Sequence, residues 1–394
     1  MAELEYSIAD LHNLIELGLR NSMSNNDKSD FHTIASQNKN YILQQGNPVY
    51  NKLYKNMKLS TLTDHLNYGG GTVKTLWQTE DTEYDYMIDD GQIEDSSSLM
   101  YGRGNTKVLT PYSSRSNLDK YQPYFKPTGR ISDFAVAYST GMVGLKFNQR
   151  SSQGISIGYS DHYNDKDLNC VTVIIDVGKN AVINIDESFL NKDGCKIYKI
   201  VYLVRNYATL NLTRRLDIDN KDKGINVIES NVIQFPGSTF NYDVTGEGSK
   251  HNQDLMYIDV YDGCRTNVNG KYYLYDNYVN NSLVDIHHKG KESTSRVDVR
   301  SIVDDKSHSS FLGSITVDKE AIDTDAQLVN KNLLLSSNAT AITEPQLDIN
   351  TKEISCSHGC TVSNVDKNQL YFLESRGIET KLAEETLKQC FLTM

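Results

Sequence analysis

The sequence predicts a mainly β protein whose core is a parallel β-helix, a form of β-solenoid. Short β-type segments recur from about residue 130 onward, and a polar turn follows each of them. No helical period separates these segments, which excludes βαβ units. Small residues mark successive corners at steps of 27, 30 and 26 residues, namely Ala181, Ala208, Ser238 and Cys264. Strand–turn–strand repeats of about 20–30 residues are typical of solenoids.

The residues before this core form a predicted N-terminal region, 1–130, which is helical at its start. In "YSIADLHNLIELGLR" (6–20), apolar residues recur at helical spacing. Residues 80–98 are acidic and irregular. We interpret them as a solvated loop rather than a calcium site, because the alternating ligands of a calcium-binding loop are missing.

The solenoid core is predicted to span 131–362, and a short helical region, 363–394, follows it. Residues 365–377 and 379–394 have helical patterns, and Gly377 is a stop signal between them. We expect these helices to cap the solenoid, because an open coil would expose unpaired backbone and apolar surface. Their apolar side would include Leu382, Leu387, Cys390 and Phe391.

Composition excludes several classes of function. The net charge of −11 opposes binding to phosphate backbones, so we expect no nucleic-acid partner. Mean hydropathy is −0.51 and no apolar run approaches the roughly 18 residues of a membrane helix, so no membrane partner is expected. Six scattered cysteines do not make a disulfide framework, and the first residues lack a basic leader. These features indicate a cytoplasmic protein.

Catalytic motifs are missing from the sequence. It contains no phosphate-binding G-x-x-x-x-G-K-[ST], no G-x-S-x-G and no H-E-x-x-H. A P-loop that binds nucleotide phosphates is therefore not expected. The adjacent His287 and His288 lie in "VDIHHKGKEST", which we interpret as a solvated polar turn rather than a ligand site.

The segment "EISCSHGCTV" (353–362) holds the strongest candidate site. A thiolate and an imidazole, from Cys356 and His358, can bind a transition metal or an iron–sulfur species. Strand alternation places Cys356, His358 and Cys360 on one face. If that face points inward, both thiols are inert core. If it points outward at an edge of the solenoid, all three side chains are available together, and the residues alone leave both alternatives open.

From residue 311 onward, the segments "NKNLLLS", "PQLDI", "CSHG" and "LYFLESRGI" follow one another in order. In these segments and their order the sequence resembles the SufB/SufD family, the scaffold subunits of the SUF iron–sulfur cluster assembly system. SufB-type chains carry a Glu-His-Glu element where this sequence has Cys356-Ser357-His358-Gly359, so the chain is similar to the SufD type. The resemblance is continuous but looser upstream, to about residue 130.

The resemblance implies a right-handed β-helix and a non-catalytic scaffold subunit. It implies that Cys356 and His358 are metal ligands at an interface with a SufB-type subunit, for an iron–sulfur cluster that is transient and shared. The partner could also be a second copy, as a homodimer. A SufC-type ABC ATPase is the other implied partner, although the shorter C-terminal region puts its docking in doubt. Cys360 stands where the family usually has Ala. Two roles are open for it, an additional thiol at the site or a side chain that only fills the Ala pocket, and we expect the second.

Two alternative functions remain at this point. One is a purely structural or dimerising homologue without cluster chemistry. The other is a β-solenoid binding protein of the carbohydrate-binding type, against which the SUF-like C-terminal sequence argues.

Overall fold

A computed structural model describes residues 86–89, 92–94, 106–109, 119–125, 132–138, 142–148, 154–160, 168–190, 195–216, 225–247 and 251–393. The predicted helix over 6–20 lies outside these residues. Within the segment interpreted as an acidic loop, 86–89 and 92–94 are strands, and Ile88 is buried. The division into three regions stays a prediction.

The described chain is mainly strand. Its strands are β1 (Tyr86–Asp89), β2 (Gln92–Glu94), β3 (Thr106–Leu109), β4 (Met142–Phe147), β5 (Ile155–Ser160), β6 (Leu168–Val177), β7 (Val182–Leu190), β8 (Cys195–Val204), β9 (Thr209–Arg215), β10 (Ile225–Gln234), β11 (Thr239–Glu247), β12 (His251–Val260), β13 (Arg265–Leu274), β14 (Val279–His288), β15 (Thr294–Val303), β16 (His308–Val317), β17 (Thr324–Leu334), β18 (Thr340–Ile349) and β19 (Ile354–Asn364). A 3-10 helix (Asp119–Phe125) and the helices α1 (Asp133–Tyr138), α2 (Lys367–Ser375) and α3 (Thr380–Thr393) complete the description.

The strands form two sheets by winding alternately from one to the other. One sheet runs in the order β19-β17-β15-β13-β11-β9-β7-β5-β1-β2, and the other in the order β18-β16-β14-β12-β10-β8-β6-β4-β3. Pairing is parallel throughout, except between β1 and β2 and between β3 and β4. Alternate strands that stack in parallel are the topology of a β-solenoid, so the predicted fold class is confirmed.

Buried and exposed residues alternate along each strand, and the buried ones form the core between the two sheets. In β16, for example, Phe311, Ile315 and Val317 are buried, whereas the outward-facing residues 312, 314 and 316 are partly exposed. Register stacks equivalent positions, so Ile315 lies over Ile286 in β14. Inward residues of successive coils therefore build one continuous apolar column.

The small residues that the sequence analysis placed at corners lie at corners in the structure. Ala181, Ala208, Ser238 and Cys264 are all buried. Their carbonyls and the amides of the next coil form a ladder, as in Thr209 N to Ala181 O at 2.8 Å and Thr239 N to Ala208 O at 2.8 Å. Gly237 precedes one corner with a φ of 74°, and a Cβ there would lie 2.5 Å from the Tyr207 ring. The positive φ favours glycine at 237, although Asn180 and Tyr207 hold the equivalent corner positions with φ of 60° and 58°.

The two C-terminal helices form as predicted, but they do not cap the solenoid. Helix α3 lies along the outer face of the β19-containing sheet, where Arg300 Nη1 donates to Phe391 O at 2.8 Å and Lys388 Nζ lies 5.6 Å from the Tyr273 ring centre. Its buried residue is Ala383, and Leu382 is 61% exposed. The predicted cap is therefore wrong, and within the described part of the chain no strand covers the free edges of β18 and β19.

Candidate functional site

Strand β19 carries the predicted site residues on the inward face of the last coil. It pairs with β17 in the register Ala326–Cys356, Leu328–His358 and Asn330–Cys360. Neighbours in register share a face of the sheet, and Ala326 and Leu328 are both core residues. Cys356, His358 and Cys360 therefore belong to the inward-facing column.

The inward-facing side chains of β19 are nevertheless accessible, because β19 is the last strand of its sheet. Cys356 and Cys360 are half-buried, and His358 is exposed. Both alternatives derived from strand alternation are thus partly right. The face is the inward one, yet the three donors are open to a ligand at the end of the solenoid.

The environment of Cys356 is apolar on one side and acidic on another. Its side chain packs against the main core. Burial raises the pKa of the Cys356 thiol, a backbone hydrogen bond at Ala326 lowers it, and the nearby charge of Asp325 raises it. The net direction is upward, so the free thiol is mostly protonated at neutral pH. A metal that binds here must displace that proton, which makes binding tighter as the pH rises.

The residues of β17 next to Cys360 are polar, in contrast to those next to Cys356. Asn330 is fully buried, and its Nδ2 donates to Val299 O at 3.0 Å. Asn332 Nδ2 donates to Asn330 Oδ1 at 2.7 Å, and Asn332 Oδ1 is buried without a hydrogen-bond partner. Cys360 therefore lies over amides, where Cys356 lies over the methyl group of Ala326.

The donors of one chain do not complete a metal centre. Among the described residues, no group of three or more His, Cys, Asp or Glu side chains could hold a metal ion. Iron–sulfur clusters are usually held by four ligands. Cys356 and His358 can supply one thiolate and one imidazole, so further ligands would have to come from another chain.

Comparison with known proteins identifies the family. Residues 161–391 match the family described as "SUF system FeS cluster assembly, SufBD core domain". The chain belongs to this family. It is 41% identical to iron-sulfur cluster assembly protein SufD of Escherichia coli over 105 residues, which cover 27% of this chain and 25% of that protein. It is 26% identical to SufD of Bacillus subtilis over 216 residues, covering 54% of this chain and 46% of that protein.

A third relative extends the similarity beyond bacteria. SufD of Plasmodium falciparum is 24% identical over 252 residues, or 62% of this chain and 17% of that protein. The matched segments thus span less than half the length of each of these relatives. The resemblance to the SufD type noted in the sequence is confirmed. None of the helices in the described ranges is long and apolar enough to cross a membrane.

The sequence analysis of this SufBD-family chain missed a buried arginine cluster, which we define as Arg214, Glu187 and Asp254 with their tyrosine partners. Arg214 Nη2 donates to Glu187 Oε2 at 3.0 Å, and Arg214 Nη1 donates to Asp254 Oδ1 at 2.7 Å. Arg214 and Glu187 are completely buried, and Asp254 is nearly so. The cluster lies inside the solenoid and supplies no accessible ligand, so its role is in the fold.

The interpretation of His287 and His288 as a solvated turn is wrong. Both residues end β14. His288 is fully buried, with Nδ1 2.7 Å from Ser293 Oγ and Nε2 2.9 Å from Ser295 Oγ. His287 is partly buried and its Nε2 lies 2.8 Å from Asp318 Oδ1. Adjacent residues of a strand face opposite sides of the sheet, so His288 points into the protein while His287 points outward. Treating the two histidines as one polar pair hid this difference.

Buried His288 makes the stability of this SufBD-family solenoid depend on pH. Burial, and then the neighbouring His287, lower the pKa of His288 to about 4. A lowered pKa means that the unfolded chain binds more protons, so the contribution is present above about pH 6.5 and is lost as the pH falls toward 4. The free energy of unfolding should fall between pH 7 and pH 4.5, and we expect His288→Gln to make that fall smaller by about 2–3 kcal/mol. Urea unfolding of both proteins at the two pH values measures this, and an equal loss in both would contradict it.

Proposed function

We propose that this SufBD-family chain is a non-catalytic scaffold subunit of iron–sulfur cluster assembly that shares a transient cluster with a SufB-type subunit. The observation that supports this most directly is the pair of inward-facing but accessible donors, Cys356 and His358, on the free edge of β19. A thiolate is a soft ligand and a neutral imidazole a borderline one, so together they suit iron and nascent sulfide. The partner would contribute the remaining ligands across the interface.

The chemical work of the two residues would be complementary. Cys356 would lose its proton when iron approaches, since the positive charge offsets the cost of burying a thiolate. His358 would bind through whichever ring nitrogen faces the metal and would add no charge. Because each side offers an incomplete ligand set, an assembled cluster would remain transferable to an acceptor protein.

Exposed apolar residues on α2 and α3 support a second contact, with a SufC-type ATPase. Tyr371 is 73% exposed and Phe372 is 55% exposed on α2, and Leu382 is exposed on α3. Large exposed apolar side chains on adjacent helices are typical of an interaction surface. Docking there would leave the open end of the solenoid free for the SufB-type subunit.

The proposed interface predicts that a charge on the β19 edge weakens the complex. We expect Ser357→Lys to lower the affinity for a SufB-type subunit at least about tenfold, because lysine on an edge strand opposes edge-to-edge pairing. Thr245→Lys is the matched control, since Thr245 is also an exposed residue of the same sheet but lies on β11, far from the edge. Titration calorimetry with the purified SufB-type subunit measures both. Equal affinities of the two variants would show that the subunits meet elsewhere.

A further inference from the structure

Helix α3 is attached to the solenoid by few and mostly polar contacts. Of its 14 residues, all of which the structure describes, Ala383 alone is buried. Arg300 Nη1 donates to Phe391 O at 2.8 Å, and Lys388 Nζ lies 5.6 Å from the Tyr273 ring centre. Segments that bury little apolar surface open at a lower free-energy cost than the core does. We therefore expect α3 to open locally while the solenoid stays folded.

The C-terminal end of α3 takes one of its hydrogen bonds from a residue of the solenoid. Phe391 is among the last four residues of α3, whose carbonyl groups have no amide partner within the helix. Arg300 donates to the Phe391 carbonyl, and its positive charge lies at the negative end of the helix dipole. Asp298 accepts from the same guanidinium at 2.9 Å from Nε and at 2.6 Å from Nη2. Arg300 therefore joins the sheet to the end of α3 through one guanidinium, whose orientation the two bonds to Asp298 restrict.

Apolar residues of the sheet lie on the side that α3 occupies. Ile302 on β15 and Leu333 on β17 are neighbours in register, and strand alternation directs both outward. Both are nevertheless buried, and α3 contacts β15. They continue the row of Tyr273, beside which Lys388 of α3 lies. Undocking of α3 would expose part of this row to water, so the docked state has an apolar contribution as well as a polar one.

A released α3 would not remain helical. An isolated helix of this length is marginally stable in water. Thr380, Thr386 and Thr393 lower its stability further, because β-branched side chains lose rotamer freedom in a helix. Opening is therefore a transition between a docked helix and an unfolded segment.

The surface proposed above for the ATPase needs the docked form of α3. It combines Tyr371 and Phe372 of α2 with Leu382 of α3. Thr380 Oγ1 donates to Glu374 Oε1 at 2.6 Å where the two helices meet. Leu382 has a fixed position beside α2 only while α3 is helical. A protein that binds both helices therefore binds one of the two states, and it shifts the equilibrium toward that state.

We propose that α3, residues 380–393, is a strap that opens and closes on the outer face of the sheet, that Arg300 holds it closed, and that the docked ATPase stabilises the closed state. The apparent affinity for the ATPase would then fall with the fraction of chains whose strap is closed. The inference rests on the proposed function for the ATPase contact. It adds the two states of α3 and the residue that sets the balance between them.

Amide hydrogen exchange of the full chain, measured by mass spectrometry, tests the strap without a partner. We expect Arg300→Gln to raise the exchange rates of residues 380–393 at least about tenfold, because the closed state loses a hydrogen bond from a charged donor. Exchange in the core strand β12 should change by less than about twofold, because opening of the strap is local. Urea unfolding of the same variant shows whether the solenoid keeps its stability.

Arg296→Gln is the matched control. Arg296 is another outward-facing arginine of β15 with an aspartate partner, Asp325, and it donates to carbonyl groups of β15 and β17 rather than to α3. We expect it to leave the exchange of α3 unchanged. Equal α3 exchange rates in Arg300→Gln and Arg296→Gln would overturn the strap. So would an increase in Arg300→Gln that is as large in β12 as in α3.

The same measurement with purified SufC-type ATPase tests the closed state. Bound ATPase should slow exchange in both α2 and α3 of the unaltered chain, and Arg300→Gln should bind it more weakly than Arg296→Gln does in titration calorimetry. Slower exchange in α2 alone would show that the ATPase does not select the closed strap. If the ATPase does not bind at all, the proposed contact and its effect on α3 are both wrong, and the two arginine variants alone decide whether the strap exists.

Discussion

Replacing Cys356 or His358 with alanine should abolish cluster assembly and leave the solenoid folded. Cys356 is half-buried and His358 is exposed, so we expect each change to alter the free energy of unfolding by less than about 1 kcal/mol. The donors to iron would be lost in either case. Assembly is measured by the visible absorption of the cluster, with a SufB-type subunit, the ATPase, iron and a sulfur source supplied. Urea unfolding measures the stability of the same samples.

Leu328→Ala is the matched control for this experiment. Leu328 lies directly below His358 in the inward column and is fully buried. Its truncation should cost about 2–5 kcal/mol of stability and remove no ligand. We expect that variant to assemble clusters at low temperature, where it remains folded. Normal assembly by both Cys356→Ala and His358→Ala would refute the proposed role of these two residues.

Strand periodicity made the solenoid predictable from sequence. Because successive coils stack in register, the limited space at a corner recurs in each coil. A small buried residue therefore recurs at the corners, as at Ala208 and Ser238. The same alternation placed Cys356 and His358 on one face. It could not decide whether that face was enclosed, because enclosure depends on whether another strand covers β19, and no local pattern encodes this.

The position of the C-terminal helices could not be predicted for a similar reason. The apolar residues of α3 suit any apolar surface, whether the open coil or the outside of a sheet. The docking depends on contacts distant in sequence, such as Arg300 with the carbonyl of Phe391 near the end of α3. Arg300 also donates through its Nε to Asp298 Oδ1 at 2.9 Å, so one guanidinium links the strand residue Asp298 to the helix.

The buried arginine cluster was missed because its members come from separate coils. In "TLNLTRR", Arg214 and Arg215 look alike as the polar end of a strand. One signal distinguishes them: Leu210 and Leu212 are inward-facing, so strict alternation makes position 214 inward and position 215 outward. An arginine that continues an inward series indicates a buried partner of opposite charge, although not which residue that is.

Arg214→Met should destabilise the fold by about 3–5 kcal/mol, the largest effect on stability that we expect of a single substitution in this chain. The guanidinium is the cation between two buried carboxylates, Glu187 and Asp254, at 3.0 and 2.7 Å. Tyr159 and Tyr202 also donate to Glu187 Oε1, at 3.0 and 2.6 Å. Burial raises the pKa of both phenols well above the ordinary range, so they remain donors and cannot replace the positive charge.

Arg215→Met is the matched control, because Arg215 is the next residue of β9 and is exposed. We expect it to change stability by less than about 0.5 kcal/mol. The triple variant Arg214→Met, Glu187→Gln and Asp254→Asn should regain part of the loss, since it removes the carboxylates that Arg214→Met leaves buried without a cation. Urea unfolding at neutral pH measures all four proteins. If Arg214→Met were no less stable than Arg215→Met, the cluster would contribute nothing to the fold. If the triple variant were less stable than Arg214→Met, the cost would come from lost packing and hydrogen bonds rather than from uncompensated charge.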